Sequence, residues 1–555
     1  MCAGAAARAW VWTHRGSLFL DEASLALNVL ARDFAGLARP LDWGQAAPVG
    51  YLWIERGAFL AFGPGEVALR AWSFVAGVAV LPLTWAVARR LAGLRAAAFS
   101  VTALACSLIA MRYAAEAKPY AGDALVAIAM TWLSLRVLDA MDDMPRWAWL
   151  GVAGVAAVYV SLPAVFTLAA VAATLAPPAW RSGPHPRRAL AGCAVAWLAA
   201  FGLEWLVVLR HAVGDPYLTE YWAPVMLDPS QPALVARTLR AVASVGSTPL
   251  RWEASLADAA VGVAAWTWGV VVAGRRSRTA LLLLAGPVAF ATAASLLGLY
   301  PLSDRLAFFA APAATIAVGM ALDAIARPAA AATTVAVGVV VGVWVGADGA
   351  RVVREPGSLE PTRELFRGVA AAADSANAPV YVFARAVPSW VYATTDWRAP
   401  NRTRLERYVA LAGNVRSPGH ENFSRDGAVP AGAGDSFVVD WPGGARQEIV
   451  GLAPGVRYRV AGPTSRDRPS PGWACEEARR IRAAARPVVW IAASHYFEDT
   501  PGDELRPLMD AIATAGLLVA EERRGGRNAI ALRVEPAPTA GVRERRGREL
   551  CGGGA

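Results

Sequence analysis

A chain of 555 residues that is 56% hydrophobic and 18% charged, with a mean hydropathy of +0.36, is too apolar for a water-soluble protein of this size. Its net charge of +10 is spread in short arginine clusters between apolar runs, which argues against the continuous basic face of a nucleic-acid binder. Five cysteines without metal-ligand spacing and the scattered His14, His185, His211, His420 and His495 give no zinc motif, and their pattern implies no disulfide framework.

In chain order, residues 1–12 are apolar but too short to span a bilayer and lack signal-peptide architecture, so they read as part of a truncated first helix. Next, Ser17-Leu-Phe-Leu-Asp-Glu-Ala-Ser24 sets two adjacent carboxylates after an apolar stretch. In one reading Asp21 is a general base for an acceptor hydroxyl, and Glu22 orients it, binds a cation or assists. In the other, Asp21 is the N-cap of a helix starting near Ala23 and Glu22 its first-turn acid. Gln45-Ala-Ala-Pro48 then precedes the first clear span.

Runs long enough to cross roughly 30 Å of hydrocarbon occupy residues 67–88, 96–111, 124–141, 189–209, 256–274, 279–299, 306–325 and 329–347. The apolar run 147–176 fits two short spans turning at Ser161-Leu-Pro163, because arginines flank both of its ends. With ten spans, the arginine clusters at 89–95, 136–146, 181–188, 275–278 and 327 fall in alternate loops on one side, the cytoplasm. The other side then receives the segment before 67, the 112–123 loop, the 210–255 loop, the 300–305 loop and everything after 347.

These outer loops hold the remaining chemistry. Of 54 basic residues Lys118 is the only lysine, and it lies in Arg112-Tyr-Ala-Ala-Glu116-Ala-Lys118-Pro-Tyr120-Ala-Gly-Asp123. A lysine and an arginine on the outer face oppose the positive-inside trend, which points to an anionic ligand such as a phosphate; the alternative is snorkelling to lipid headgroups. Glu116 reads as the partner of Lys118 or as a second catalytic carboxylate. In Tyr300-Pro-Leu-Ser-Asp304-Arg305, Arg305 reads as a phosphate ligand, an interfacial anchor or a local pair with Asp304. The aromatic group Tyr217-Leu-Thr-Glu-Tyr-Trp222 reads as an interfacial belt or a sugar-stacking face.

Beyond residue 351 the charge density rises. Short apolar runs at 379–383, 436–440 and 487–491 read as buried strands. Amphipathic helices are expected at 362–373, 476–485 and 503–513, with a hairpin near Gly525-Gly526. The sequons Asn401-Arg-Thr403 and Asn422-Phe-Ser424 carry no weight, and the Arg-rich end reads as a disordered tail.

Leu20-Asp21-Glu22-Ala23, Gln45-Ala-Ala-Pro48, Gly65-Glu66…Leu69-Arg70 and Glu116-Ala-Lys118-Pro-Tyr120…Asp123 together resemble the polyprenyl-phosphate-dependent membrane glycosyltransferases of the C superfamily. That group contains protein O-mannosyltransferases, aminoarabinose transferases and lipopolysaccharide galacturonosyltransferases. The resemblance covers residues 17–347 and looks like that of a bacterial member.

The apolar runs and their flanking arginines give the expected fold, an α-helical polytopic protein of about ten to eleven transmembrane helices in the inner (cell) membrane, with an extracytoplasmic α/β domain. Its boundaries are 1–66 for the N-terminal segment with the acidic pair, 67–347 for the membrane domain, 348–540 for the α/β domain and 541–555 for the tail.

The implied reaction passes a sugar from a polyprenyl-phosphate donor to a lipid, glycan or protein acceptor on the non-cytoplasmic face, with inversion. Asp21, Glu22 and Glu116 are the implied catalytic carboxylates, the two glutamates shaping the site or holding a divalent cation. Lys118, Tyr120, Arg305 and Gln45 are the implied substrate and phosphate ligands. Rival readings are a transporter or flippase, whose charges belong at mid-membrane, and a non-catalytic scaffold.

Overall fold

The structure is a computed structural model describing residues 1–41, 45–213, 218, 221–230, 232–247, 256–326, 346–347, 349–357, 360–376, 378, 380–383, 386–394, 397, 436–440, 446–450, 458–461, 475, 478–479, 482, 488–495 and 505–537. It divides into two units. The first comprises Met1–Arg15, Phe34–Pro40 and Ala46–Pro356; the second comprises Gly16–Asp33, Leu41–Gln45 and Gly357–Ala555.

The first unit is helical. Among the described residues five helices are long and apolar enough to cross a membrane: Ala71–Ala92, Tyr120–Asp139, Pro184–Val213, Arg278–Leu296 and Arg305–Ile325. The chain is therefore a multi-pass integral membrane protein. The expected turn at Ser161 is present, separating helices Met144–Val160 and Ala164–Ser182. The expected run 96–111 is not one helix. It breaks at Ser107 into Leu94–Cys106 and Leu108–Tyr113, because Ser107 turns extended and its Oγ caps the new start by accepting the Ala110 N–H at 3.2 Å. Gly93 at φ +94° ends Ala71–Ala92 and Gly183 at φ +124° ends Ala164–Ser182, conformations that a Cβ would oppose.

Among the described residues, helices Cys2–His14, Val49–Phe62 and the amphipathic Leu234–Ser247 lie outside the expected spanning runs. The run 329–347 falls almost wholly outside the described residues. The core is a continuous apolar cluster that includes Leu81, Val87, Ile109, Tyr113, Ile128, Trp147, Leu175, Trp197, Leu284 and Ile316.

The second unit holds a five-stranded sheet, built from β1 (Val380–Phe383), β4 (Tyr458–Ala461), β5 (Val489–Ser494), β6 (Leu517–Arg524) and β7 (Ala529–Pro536). The order is β4-β1-β5-β7-β6, with β1 parallel to β4 and β5, and β7 antiparallel to β5 and β6. A separate pair joins β2 (Ser436–Asp440) to β3 (Arg446–Val450). The expected strands, the helices at Thr362–Ser375 and Leu505–Thr514 and the glycine hairpin before Ala529 are all present. Every residue of β5 is buried, as its unbroken apolar run requires of a central strand. The expected helix 476–485 and both sequons lie mostly or wholly outside the described residues.

Helix Leu20–Ala31 belongs to this second unit, packing on helix Val387–Thr394. Cys475 is disulfide-bonded. The spacing of the cysteines, read above as giving no disulfide framework, carried no sign of this bond.

Candidate active site

In the first unit the site grows from the loop between helices Leu108–Tyr113 and Tyr120–Asp139. Glu116 is 1% exposed, and its Oε1 accepts from Arg15 Nη2 and from Arg112 Nε, each at 2.7 Å. Arg15 Nη1 also donates to the Arg112 carbonyl at 3.0 Å. A carboxylate held between two guanidinium groups is a strut, because removing its charge would leave both cations buried together.

Arg15 reaches this point because helix Cys2–His14 is anchored further back. The fully buried Arg8 donates to the carbonyls of Leu104 at 2.8 Å and Ala105 at 3.0 Å. It thus caps the broken helix end at Cys106, where unsatisfied carbonyls and the helix dipole favour a cation.

From the strut the chain turns tightly, with the Lys118 N–H donating to the Glu116 carbonyl at 2.8 Å and Ser73 Oγ to the Lys118 carbonyl at 2.9 Å. Lys118, 6% exposed, is thereby set two residues before the N-terminus of a 20-residue helix, whose partial positive charge adds to its own. Tyr120 is buried, with its ring 5.0 Å from that of Tyr113. Tyr113 in turn packs against Phe308, 4.8 Å between centroids. Burial first, then Glu116, pushes the Tyr113 phenol well above its ordinary range, while Arg112 and Arg305 pull the other way. Arg305 thus lies within electrostatic reach of the same loop. Its guanidinium lies 5.4 Å from the Trp222 ring centroid, and Nη2 is 3.4 Å from the Tyr221 hydroxyl.

In the second unit the acidic pair opens helix Leu20–Ala31. Phe19, not Asp21, is the N-cap. Glu22 is fully buried and its Oε2 accepts the Phe19 N–H at 3.2 Å, the return half of a capping box. Asp21 is the second residue of the helix and half-buried. A second carboxylate serves the same helix end: Glu360 Oε2 accepts the Leu20 N–H at 3.2 Å, and Glu360 Oε1 lies 2.5 Å from His495 Nδ1. Gln45 belongs to this unit and is half-buried.

Arg15, Glu360 and His495 carried no sequence signal, because their partners lie 101, 340 and 135 residues away. Among the described residues no three His, Cys, Asp or Glu side chains converge to hold a metal ion.

Residues 46–205 match the family model described as dolichyl-phosphate-mannose-protein mannosyltransferase. The resemblance read from the motifs is thus found independently over a stretch that contains Glu66, Arg70 and the whole Glu116–Tyr120 loop. No curated protein matches the chain. Among solved structures it is similar to ArnT from Cupriavidus metallidurans bound to undecaprenyl phosphate, at 16% identity and a TM-score of 0.46, over 96% of this chain and 97% of that one. It is also similar to the archaeal oligosaccharyltransferase AglB from Archaeoglobus fulgidus in complex with an inhibitory peptide and a dolichol-phosphate, at 12% identity and a TM-score of 0.42, over 79% and 71%.

Proposed function

We propose that the chain is a membrane glycosyltransferase that moves a sugar from a polyprenyl-phosphate donor to an envelope lipid, glycan or protein on the non-cytoplasmic face of the inner membrane. The observation that carries this reading is the buried Arg15–Glu116–Arg112 lock, which sets Lys118 at a helix N-terminus within the stretch matched by the mannosyltransferase family. Such a loop suits the phosphate of a lipid carrier, whose charge grows as the sugar departs. Lys118 and Arg305 would stabilise that charge, with the Tyr120 and Gln45 side chains as polar ligands of the donor.

Asp21 would accept the proton of the acceptor hydroxyl as the new glycosidic bond forms and the carrier phosphate leaves from the opposite face. A single displacement of this kind inverts the anomeric centre. Glu116 serves here as a strut between Arg15 and Arg112 and Glu22 as a helix cap, and the general base is assigned to Asp21 at the start of the acidic helix. The disulfide at Cys475 suits an oxidising compartment and favours an extracytoplasmic C-terminal unit.

The test is transfer from radiolabelled polyprenyl-phosphate sugars to envelope extracts by purified protein. Asp21→Asn and Lys118→Ala should each lower transfer by about 100-fold or more while circular dichroism is unchanged. Transfer that survives both substitutions would remove the site assignment, and wild-type protein inactive with every donor would remove the function.

A further inference from the structure

The C-terminal unit touches the acidic helix through groups that the reaction just described does not use. Glu360, 2% exposed, spends one oxygen on the Leu20 N–H and brings the other to 2.5 Å from His495 Nδ1. Ser17 returns the contact: its Oγ accepts the Arg363 N–H at 3.0 Å, at the start of helix Thr362–Ser375. Two helices 340 residues apart in sequence therefore cap each other.

His495 itself is held unusually. It follows β5 directly, its N–H donates to the Asn528 carbonyl at 2.9 Å, and its φ is +57°. Among the described non-glycine residues only Ala233 shares such a left-handed backbone. Glycine would adopt that conformation without cost. At this position the histidine ring lies against Glu360.

We propose that Glu360 and His495 are positioning residues: the pair fixes the first turn of helix Leu20–Ala31 and thereby aims the Asp21 carboxylate at the acceptor. The inference rests on Asp21 being the general base. It assigns the C-terminal sheet a part in transfer that neither its strands nor its composition announce.

The test uses the full chain in detergent or vesicles. His495→Gly keeps the left-handed turn and removes the ring; Glu360→Gln keeps an acceptor and removes the charge. Each should lower kcat by about tenfold or more while the donor KM changes by less than about twofold. Hydrogen exchange of residues 17–31 should become about tenfold faster in both variants. Wild-type kcat in His495→Gly, or unchanged exchange in both variants, overturns the proposal. Wild-type protein that transfers from no donor sinks the transferase reading instead; faster exchange then still supports the pair's hold on the helix, and unchanged exchange still refutes it.

Discussion

Arg15 and Glu116 show how one residue pair can fix a site. Both are almost completely buried and meet at 2.7 Å, with Arg112 Nε at the same distance from the same carboxylate oxygen, so loss of Arg15 removes one of the two charges that hold Glu116. Arg15→Met should cost about 3 kcal/mol of stability, while Arg15→Lys, which keeps the charge but loses the planar fork, should cost less. Thermal unfolding in detergent would check this; a methionine variant as stable as wild type would mean that Arg112 alone suffices for Glu116. Lys118 was legible in the sequence because it stood out against an otherwise arginine-only background. Arg15 was not, since a buried partner 101 residues away leaves no local trace. The acidic pair was half legible. Its position at a helix start is legible, but the one of its two readings that makes Asp21 the N-cap does not hold, since Phe19 has that position and Glu22 reaches back to it.

Among elements, helices occupy the long apolar runs that fall within the described residues, because burial in lipid or protein demands that composition and little else. Their breaks depended on finer chemistry. Ser107 interrupts an apolar run that hydropathy alone reads as continuous, and the polar-interrupted Val49–Phe62 helix escaped notice because Glu55 and Arg56 sit in its middle. Close packing is set by small residues. A Cβ at Gly154 would fall 2.1 Å from Trp197 Nε1, which donates to the Gly151 carbonyl at 3.1 Å. Gly154→Ala should therefore force helices Met144–Val160 and Pro184–Glu204 apart and cost about 1–3 kcal/mol, despite alanine's better helix propensity. An unfolding midpoint equal to wild type would show that Trp197 can swing aside.

Across the whole molecule, composition alone announced a membrane protein, and the rise in charge density after residue 351 announced a second kind of structure. What it could not announce is that Gly16–Asp33 groups with that second unit, since local pattern does not encode such distant pairing. The side of the membrane can be read through Cys475. In a chain whose free cysteines Cys2, Cys106 and Cys193 are replaced by serine, an impermeant maleimide should label Cys475 in intact spheroplasts only after an impermeant reductant has acted. Labelling that requires opened membranes would put the unit in the cytoplasm.

The reciprocal caps also set a timetable. The amide of Leu20 waits for a carboxylate encoded 340 residues later. At roughly 5–20 residues per second of synthesis, that delay is about 20–70 s. Until then the first turn of the acidic helix lacks the Glu360 cap, and the nascent chain threads its spans with Asp21 not yet held in place. On the proposed mechanism, completion of the last domain is a condition for transfer: a chain that ends before Glu360 carries the acidic helix without the carboxylate that caps its first turn.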